Sequence, residues 1–247
     1  MTGDVDLSRV AELIADRARS RILMALTSGR ELSASLLAKE AGVGRPTASA
    51  HLKKLTEGGL IAVRAEGKSR HYRLAGTAVS DVLERLMQLA PPEPITSLRS
   101  STRAAQLRRA RSCYDHLAGR LGVGLMRSML DRGFLRGGDG QFAPEAGGFD
   151  RPSEYGRDLD YQLTDSGQDF LNGLGARLPG GRRPVVRYCV DWTETRHHLA
   201  GQVGCALRDH ALISGWIEQV PGSRALRITP NGAAGIARTF GLVLETR

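Results

Sequence analysis

The residues best able to do chemistry in this sequence are cysteines and histidines in its second half. All three cysteines, Cys113, Cys189 and Cys205, lie there, with four of the six histidines. Cys113 and His116 are three residues apart, a spacing that places two side chains on one helix face and allows both to chelate one metal ion. Cys189 and His197 complete the set if the two segments face each other. The candidate ligands of a thiophilic metal ion are therefore Cys113, His116, Cys189 and His197.

A structural role is the competing interpretation of the same residues, because buried cysteine is a common core residue. Three scattered cysteines do not form a disulfide framework, and they favour a reducing, cytoplasmic setting. The acidic start of the chain differs from a secretory signal, and no run of eighteen apolar residues predicts a membrane span. We therefore expect a cytoplasmic protein with no membrane partner.

Enzyme motifs are missing from the sequence. It contains no Gly-rich phosphate loop, no HExxH and no GxSxG. The carboxylates Asp158, Asp160 and Asp165 cluster near a predicted strand, but acids on loops are usually solvated. We expect a protein that is not an enzyme; a second half that modifies a small molecule is the alternative.

A polar and basic helix is predicted over residues 46–57, after a turn at Gly42-Val43-Gly44. Ala48, Leu52 and Leu55 form an apolar face that can pack on the preceding helix. The other faces carry polar or basic side chains, namely Arg45, Thr47, Ser49, His51, Lys53 and Lys54. Short polar groups near a helix N-terminus reach base edges and cations contact phosphates, so the pattern is typical of a recognition helix.

A basic hairpin follows this helix directly. LIAVRAEGKSRHYRL (60–74) alternates apolar and polar residues around Glu66-Gly67-Lys68. Helix, turn, helix and basic hairpin in this order predict a winged helix-turn-helix domain. We assign base contacts to Arg45, Thr47, Ser49 and His51, and phosphate contacts to Lys53, Lys54, Lys68 and Arg70.

The charge distribution agrees with a polyanionic partner for the N-terminal part. Of the net charge of +9, eight positive charges lie in residues 1–111, and all four lysines lie in the first 68 residues. Double-stranded DNA is the partner that this field and the predicted helix favour together.

The segment 30–75 closely resembles the ArsR/SmtB family of winged-helix repressors. The resemblance covers residues 7–90, and its marks are Pro46, Ser49, His51-Leu52, Leu55, Gly59-Leu60, Gly67 and Tyr72 to Leu74. It implies a homodimer on a near-palindromic operator, with the first helix and the helix after the hairpin as the dimer contacts. The apolar stripe of that last helix is Val82, Leu83, Leu86 and Leu89.

The sequence departs from the metal-sensing members of that family. Ser33 and Ser35 stand where such members often carry cysteines on the third helix, and serine is a poor ligand for soft metals. The helix after the hairpin contains no histidine. The resemblance therefore implies a DNA-binding domain without the family's usual metal sites.

The second half contains an internal repeat. Residues 116–135 match residues 198–217 at an offset of 82, and residues 161–171 match residues 226–236 at an offset of 65. At the first offset His116 aligns with His198, whereas Cys113 aligns with Thr195. Each copy is predicted to be helix, helix, two short strands and helix, which is a degenerate winged-helix order.

The predicted fold class is mainly α with small β hairpins. Four regions follow: residues 1–90 for DNA binding and dimerisation, a basic linker with the start of a helix at 91–111, and repeats at 112–176 and 184–247. We expect a homodimeric repressor released from its operator by an effector sensed in the second half. The effector is either a thiophilic metal ion or an organic molecule near Trp192 and Trp216. A purely structural dimerisation module is the alternative.

Overall fold

A computed structural model describes residues 5–27, 29–67, 69–90, 98–142, 160–181, 183–220 and 223–244. The chain divides into two compact units, Met1–Leu83 and Glu84–Arg247. Each unit has a hydrophobic core of its own.

The first unit is helical with one small sheet. Its elements are α1 (Leu7–Ala15), α2 (Arg17–Leu26), β1 (Leu32–Ser33), α3 (Ala34–Ala41), α4 (Arg45–Glu57), β2 (Ile61–Glu66) and β3 (Ser69–Leu74). The next helix, α5 (Thr77–Leu89), runs across the boundary between the units. The strands form an antiparallel sheet in the order β1-β3-β2. This is the predicted winged helix-turn-helix order.

Side-chain caps fix where the helices of the first unit begin. The carboxylates of Asp6 and Asp16 accept hydrogen bonds from backbone amides at the starts of α1 and α2, and the Ser33 hydroxyl does the same for α3. Gly42 ends α3 with a left-handed backbone (φ 72°), a conformation that glycine adopts without strain. Gly42 thus begins the tight turn that joins α3 to α4.

The second unit alternates hairpins and helices. Its elements are α6 (Leu98–Arg109), β4 (Arg111–Cys113), β5 (His116–Ala118), α7 (Gly119–Asp131), β6 (Leu135–Arg136), β7 (Gln162–Leu163), α8 (Asp165–Leu174), β8 (Arg187–Val190), β9 (His197–Ala200), α9 (Gly201–Ile213), β10 (Ile217–Gln219), β11 (Leu226–Ile228) and α10 (Pro230–Phe240). From β4 onward, the order hairpin, helix, hairpin, helix occurs twice.

The helix predicted at the start of each copy is wrong, because the structure has a hairpin there. In the first copy the side chains of residues 111–113 and 116–118 are all buried, which suits strands covered on both faces better than a one-faced surface helix. Tyr114 turns the chain with a left-handed backbone (φ 55°). The spacing of Cys113 and His116 is therefore that of a cross-strand pair, not of a helix face.

The two copies share one hydrophobic core. Each also contributes main-chain pairing to the other: Arg111 of the first copy bridges Ala225 of the second, and Gln141 bridges Arg196. The predicted boundaries 112–176 and 184–247 thus separate segments that build a single unit.

Glycines explain why the repeat is visible in the sequence. A Cβ on Gly122 would lie 2.2 Å from the Leu117 carbonyl oxygen, and one on Gly204 would lie 2.5 Å from that of Leu199. Real Cβ atoms do not approach this closely, so α7 and α9 can rest on the preceding strand only without a side chain there. In each copy the same helix also faces the other copy, since Gly122 lies against His198 and Gly204 against His116.

Within the described residues, no helix combines the length and the apolarity that a membrane-spanning segment requires.

Candidate functional site

The first candidate site is the exposed face of α4. Ala48, Leu52 and Leu55 are buried in the core of the first unit, and they fix the orientation of the helix. Five of the six predicted side chains on the remaining surface are exposed, namely Arg45, Thr47, Ser49, Lys53 and Lys54. A helix held in this way presents short hydroxyls near its N-terminus and cations farther along.

His51 is the exception among the predicted α4 residues. Its side chain is 16% exposed, and its Nδ1 atom lies 3.8 Å from a carboxylate oxygen of Asp16 at the start of α2. Position 51 is one turn from the buried residues of α4, so its side chain packs towards the helices beneath. The structure therefore places His51 as a contact between α4 and α2 rather than with the five exposed side chains.

The hairpin β2–β3 supplies the second part of the predicted DNA surface. Arg70 is exposed and lies opposite Ala65 in the register of the two strands. Arg64, also on the hairpin, is held by Glu31 at 2.7 Å and by Glu66 at 3.1 Å. Two carboxylates neutralise Arg64, which leaves Arg70 as the better phosphate contact of the two. Lys68, at the predicted tip, lies outside the described residues.

The second candidate site is a cluster of cysteines and histidines in the second unit. Ligand atoms of four buried residues, Cys113, His116, Cys189 and His198, all lie within 4.8 Å of one another. The Cys189 Sγ atom is 3.5 Å from the His116 Nε2 atom. Three of the four predicted ligands are thus brought together, and His198 stands in the place predicted for His197.

The pleat of β9 explains this correction. Successive side chains of a strand point to opposite faces, so His197 and His198 cannot both face the cluster. His197 Nδ1 instead lies 2.8 Å from the Tyr161 hydroxyl, on the other face of the strand. The repeat alignment carries the signal for the right residue, because it pairs His116 with His198.

The register of the two hairpins also corrects the alignment of Cys113 with Thr195. Cys113 lies opposite His116 in the first hairpin, and Cys189 lies opposite His198 in the second. Each copy therefore contributes one cross-strand cysteine–histidine pair. Two residues separate the first pair in the sequence and eight separate the second, so a constant offset hides the equivalence of the cysteines.

Each histidine of the cluster has a carboxylate behind it. His116 Nδ1 lies 3.3 Å from Asp115 Oδ1, and His198 Nδ1 lies 3.3 Å from Asp191 Oδ2. This arrangement turns the Nε2 atoms towards the sulfur atoms. Both ring nitrogens of His198 are buried without a hydrogen-bond partner among the described residues, so Asp191 faces Nδ1 as a charge and not as a hydrogen-bond acceptor.

An arginine neutralises each carboxylate. Arg111 Nη2 donates to Asp191 at 2.9 Å, and both residues are almost fully buried. Arg183 Nη2 donates to Asp115 at 2.9 Å. The site thus has an inner set of sulfur and nitrogen atoms and an outer set of paired charges, each contributed by both copies.

The surroundings stabilise positive charge on the histidines. Burial lowers the pKa of His116, but the Cys113 sulfur and the Asp115 carboxylate outweigh burial and raise the pKa to about 9. Burial also lowers the pKa of His198, and the neighbouring Asp191 and Cys113 more than reverse that effect, so the net shift is upward.

The pKa values of the two carboxylates shift downward, whereas those of the histidines shift upward. Burial raises the pKa of both, but His116 and Arg183 hold the pKa of Asp115 well below its usual range. His198 and Arg111 do the same for the pKa of Asp191. Both carboxyl groups are therefore anionic at neutral pH.

The third cysteine is different. Cys205 lies on α9, is only partly buried and is not a member of the cluster. Burial and the nearby Asp209 raise the pKa of its thiol to about 11, so this thiol stays protonated at neutral pH. Cys205 provides a reference thiol for experiments on Cys113 and Cys189.

Comparison with known proteins assigns the first unit. The model of a helix-turn-helix domain matches residues 14–64. Over 81 residues the chain is 31% identical to the arsenical resistance operon repressor of Staphylococcus aureus, a match that covers 33% of this chain and 77% of that repressor. The chain belongs to the ArsR family of transcriptional regulators. The predicted family is thereby confirmed.

A second relative shares both units with this ArsR-family chain. An uncharacterized HTH-type transcriptional regulator of Bacillus subtilis, YdfF, is 36% identical over 230 residues, which are 92% of this chain and 93% of that protein. The second unit is therefore part of this longer form of regulator.

Two solved structures each match about a third of the chain. The homodimeric winged helix-turn-helix domain Mb0332 of Mycobacterium bovis is 34% identical, covers 36% of this chain and 88% of that one, and has a TM-score of 0.30. The transcriptional repressor BigR of Xylella fastidiosa is 24% identical, covers 35% and 88%, and has a TM-score of 0.33.

The positions of the family's α3 cysteines have another role in this ArsR-family member. Ser33 caps α3, and its hydroxyl oxygen lies 3.1 Å from that of Ser35, within hydrogen-bond distance. Both hydroxyls thus serve the local helix start, and neither supplies a thiolate for a soft metal ion.

Proposed function

We propose that the protein is a homodimeric repressor that binds a near-palindromic operator and is released by an effector bound in its second unit. The exposed polar face of α4 is the observation that carries the DNA-binding part. Thr47 and Ser49 lie near the N-terminus of that helix, where a recognition helix contacts base edges. Lys53, Lys54 and Arg70 are exposed cations that suit phosphate contacts.

Separate variants test base contacts and phosphate contacts on an operator selected from random DNA by the wild-type protein. Thr47→Ala with Ser49→Ala is expected to reduce the preference for operator over unrelated DNA about tenfold or more, since base contacts contribute about 1–3 kcal/mol each. Arg70→Ala is expected to weaken binding to all sequences and to reduce the slope of log affinity against log salt by about 1. Fluorescence anisotropy over a salt series measures both effects.

Arg127→Ala is the matched control, because it removes one exposed arginine from α7 in the second unit. It is expected to leave both the preference and the salt slope unchanged. An unchanged preference in the Thr47/Ser49 double variant, or an Arg70→Ala effect no larger than that of Arg127→Ala, would contradict the assignment.

The homodimer is supported by apolar side chains that are exposed on α1 and α5. Leu7 on α1 is 76% exposed, and on α5 Val82 is 46% and Leu86 is 39% exposed. Leu83, which also belongs to the predicted α5 stripe, is buried in the core of the first unit. We propose that the exposed residues of both helices meet their counterparts in a second copy, as an isologous interface requires.

Val82→Asp with Leu86→Asp in the full-length chain is expected to convert the dimer into a monomer at micromolar concentration. A charge buried at such an interface has no partner, so the dimer loses stability while the monomer does not. Analytical ultracentrifugation measures the change. Ile213→Asp, a charge at an 86% exposed apolar residue of α9, is the control and leaves the dimer intact. A dimeric double variant would locate the interface elsewhere.

The second unit, we propose, holds the effector and is not an enzyme. Of the two predicted effector classes, an organic molecule near the tryptophans has little support. Trp216 lines an apolar cavity of about 10 Å³, enough for one water, whereas organic ligands occupy about 300–1,000 Å³. Trp192 lies 4.7 Å below the guanidinium of Arg111. We also propose that the two copies are duplicates of one degenerate module, supported by their shared order of elements.

A further inference from the structure

We propose that one thiophilic divalent ion, Zn²⁺ by its ligand preference, binds in a closed four-coordinate site formed by Cys113, His116, Cys189 and His198. Two thiolates and two imidazoles are a common ligand set of structural zinc sites. The site joins the first hairpin of one copy to the first hairpin of the other. It uses no residue of the DNA-binding unit and does not depend on the proposed repression.

The geometry of the four ligands suits a tetrahedral ion. Their ligand atoms lie within 4.8 Å of one another. Zinc bonds of about 2.3 Å to sulfur and about 2.0 Å to nitrogen place ligand atoms roughly 3.3–3.8 Å apart around a tetrahedron. Small side-chain rotations therefore bring the cluster onto an ion without moving the strands, which are fixed by their cross-strand register.

The carboxylates behind the histidines orient them as metal ligands. Asp115 and Asp191 face the Nδ1 atoms at 3.3 Å, which leaves the Nε2 atom of each ring for coordination. The buried His198 Nε2 atom lacks a hydrogen-bond partner among the described residues, and a metal ion would satisfy it.

The charges of the site balance around a divalent ion. Two thiolates and the carboxylates of Asp115 and Asp191 carry four negative charges. A divalent ion together with Arg111 and Arg183 carries four positive charges. A buried site is stable when its charges are paired, and a +2 ion bound by neutral imidazoles keeps the charges of the site paired. All four ligands are buried, so the site leaves no open position for substrate and has the closed four-ligand form.

Titration of full-length, metal-free protein with Co²⁺ tests the site, because tetrahedral cobalt with thiolate ligands has intense visible absorption and a thiolate charge-transfer band. The wild type is expected to bind one equivalent per chain with both signals. Cys113→Ser, Cys189→Ser and His198→Gln are each expected to lose the tetrahedral spectrum and to weaken binding at least tenfold.

Two matched controls come from the chain itself. Cys205→Ser removes the thiol outside the cluster, and His197→Gln changes the neighbouring histidine on the opposite face of β9. Both are expected to retain one equivalent of cobalt with an unchanged spectrum. Absence of stoichiometric binding to the wild type overturns the proposal, as does an unchanged spectrum in the Cys113 and Cys189 variants.

A measurement on the wild type alone covers the case in which the variants do not fold. In moderate urea, where local opening exposes buried thiols, iodoacetamide labels each cysteine at a rate that mass spectrometry resolves. Zn²⁺ is expected to slow the labelling of Cys113 and Cys189 more than tenfold and to leave Cys205 less affected. If Zn²⁺ leaves the labelling rate of each of the three cysteines unchanged, the proposal is also overturned.

Discussion

Replacing Asp191 with alanine is expected to lower the free energy of unfolding of the second unit by about 3–5 kcal/mol. The carboxylate is fully buried and accepts hydrogen bonds from Arg111 Nη2 at 2.9 Å, from the Gly119 amide at 2.7 Å and from the Thr193 amide at 2.9 Å. Its loss leaves the Arg111 guanidinium buried without its counter-ion. Chemical denaturation followed by tryptophan fluorescence measures the change, since Trp192 lies beside this pair.

Asp131→Ala is the control for removal of a carboxylate. Asp131 pairs with Arg127 four residues earlier on α7, and both side chains are more than half exposed. Exposed pairs of this kind contribute about 0.3–0.5 kcal/mol. A second variant, Asp191→Ala with Arg111→Met, removes both charges and is expected to recover part of the loss. Equal denaturation midpoints for Asp191→Ala and Asp131→Ala would contradict the buried pair.

Gly122→Ala is expected to destabilise the second unit by about 3 kcal/mol, the upper end of the range for overpacking. The new Cβ would lie 2.2 Å from the Leu117 carbonyl oxygen, and a backbone atom cannot rotate away as a side chain does. It would also press on the Cβ of His198, 3.4 Å away, in the other copy. Thermal unfolding of the purified full-length variant measures the loss.

Gly173→Ala separates crowding from the usual effect of placing alanine in a helix. Gly173 lies in α8, and no atom other than those of its chain neighbours and its own helix backbone lies within 4 Å of the position of its Cβ. Alanine there is expected to stabilise the unit by up to about 1 kcal/mol, because glycine is the poorer helix former. A Gly122→Ala variant as stable as the Gly173→Ala variant would show that α7 can move off β5 without cost.

The first unit could be predicted because its signals are local. The buried face of α4, the Ser33 cap and the glycine turn are written within short stretches of sequence, and each agrees with the next. His51 has no such local signal, because its contact with Asp16 joins residues that are distant in sequence and close only after folding. Periodicity assigns a face of a helix but does not identify the neighbours at the edge of that face.

The second site could be predicted only in part, and the reason is the period of a strand. Cys113 and His116 meet in either a helix or a tight hairpin, so their spacing predicts that they are close but not which element brings them together. At the other hairpin, the choice between helix and strand decides which histidine joins the cluster. Alternation along a strand puts His198 with the cysteines and His197 on the opposite face. The roles of Asp115 and Asp191 depend on pairing across the whole unit, which no local pattern reports.

The reciprocal bridges between the two copies have a consequence for the order of folding during synthesis. Residue 111 pairs with residue 225, so the second unit cannot close until nearly the whole chain has left the ribosome. The first unit needs only the contiguous residues up to Leu83, and domains fold as units during synthesis, the N-terminal one first. A nascent chain would therefore carry a folded DNA-binding unit well before its second unit exists. In pulse proteolysis of stalled nascent chains, we expect the first unit to resist cleavage at intermediate chain lengths. The second unit is expected to resist cleavage only when the chain is near full length.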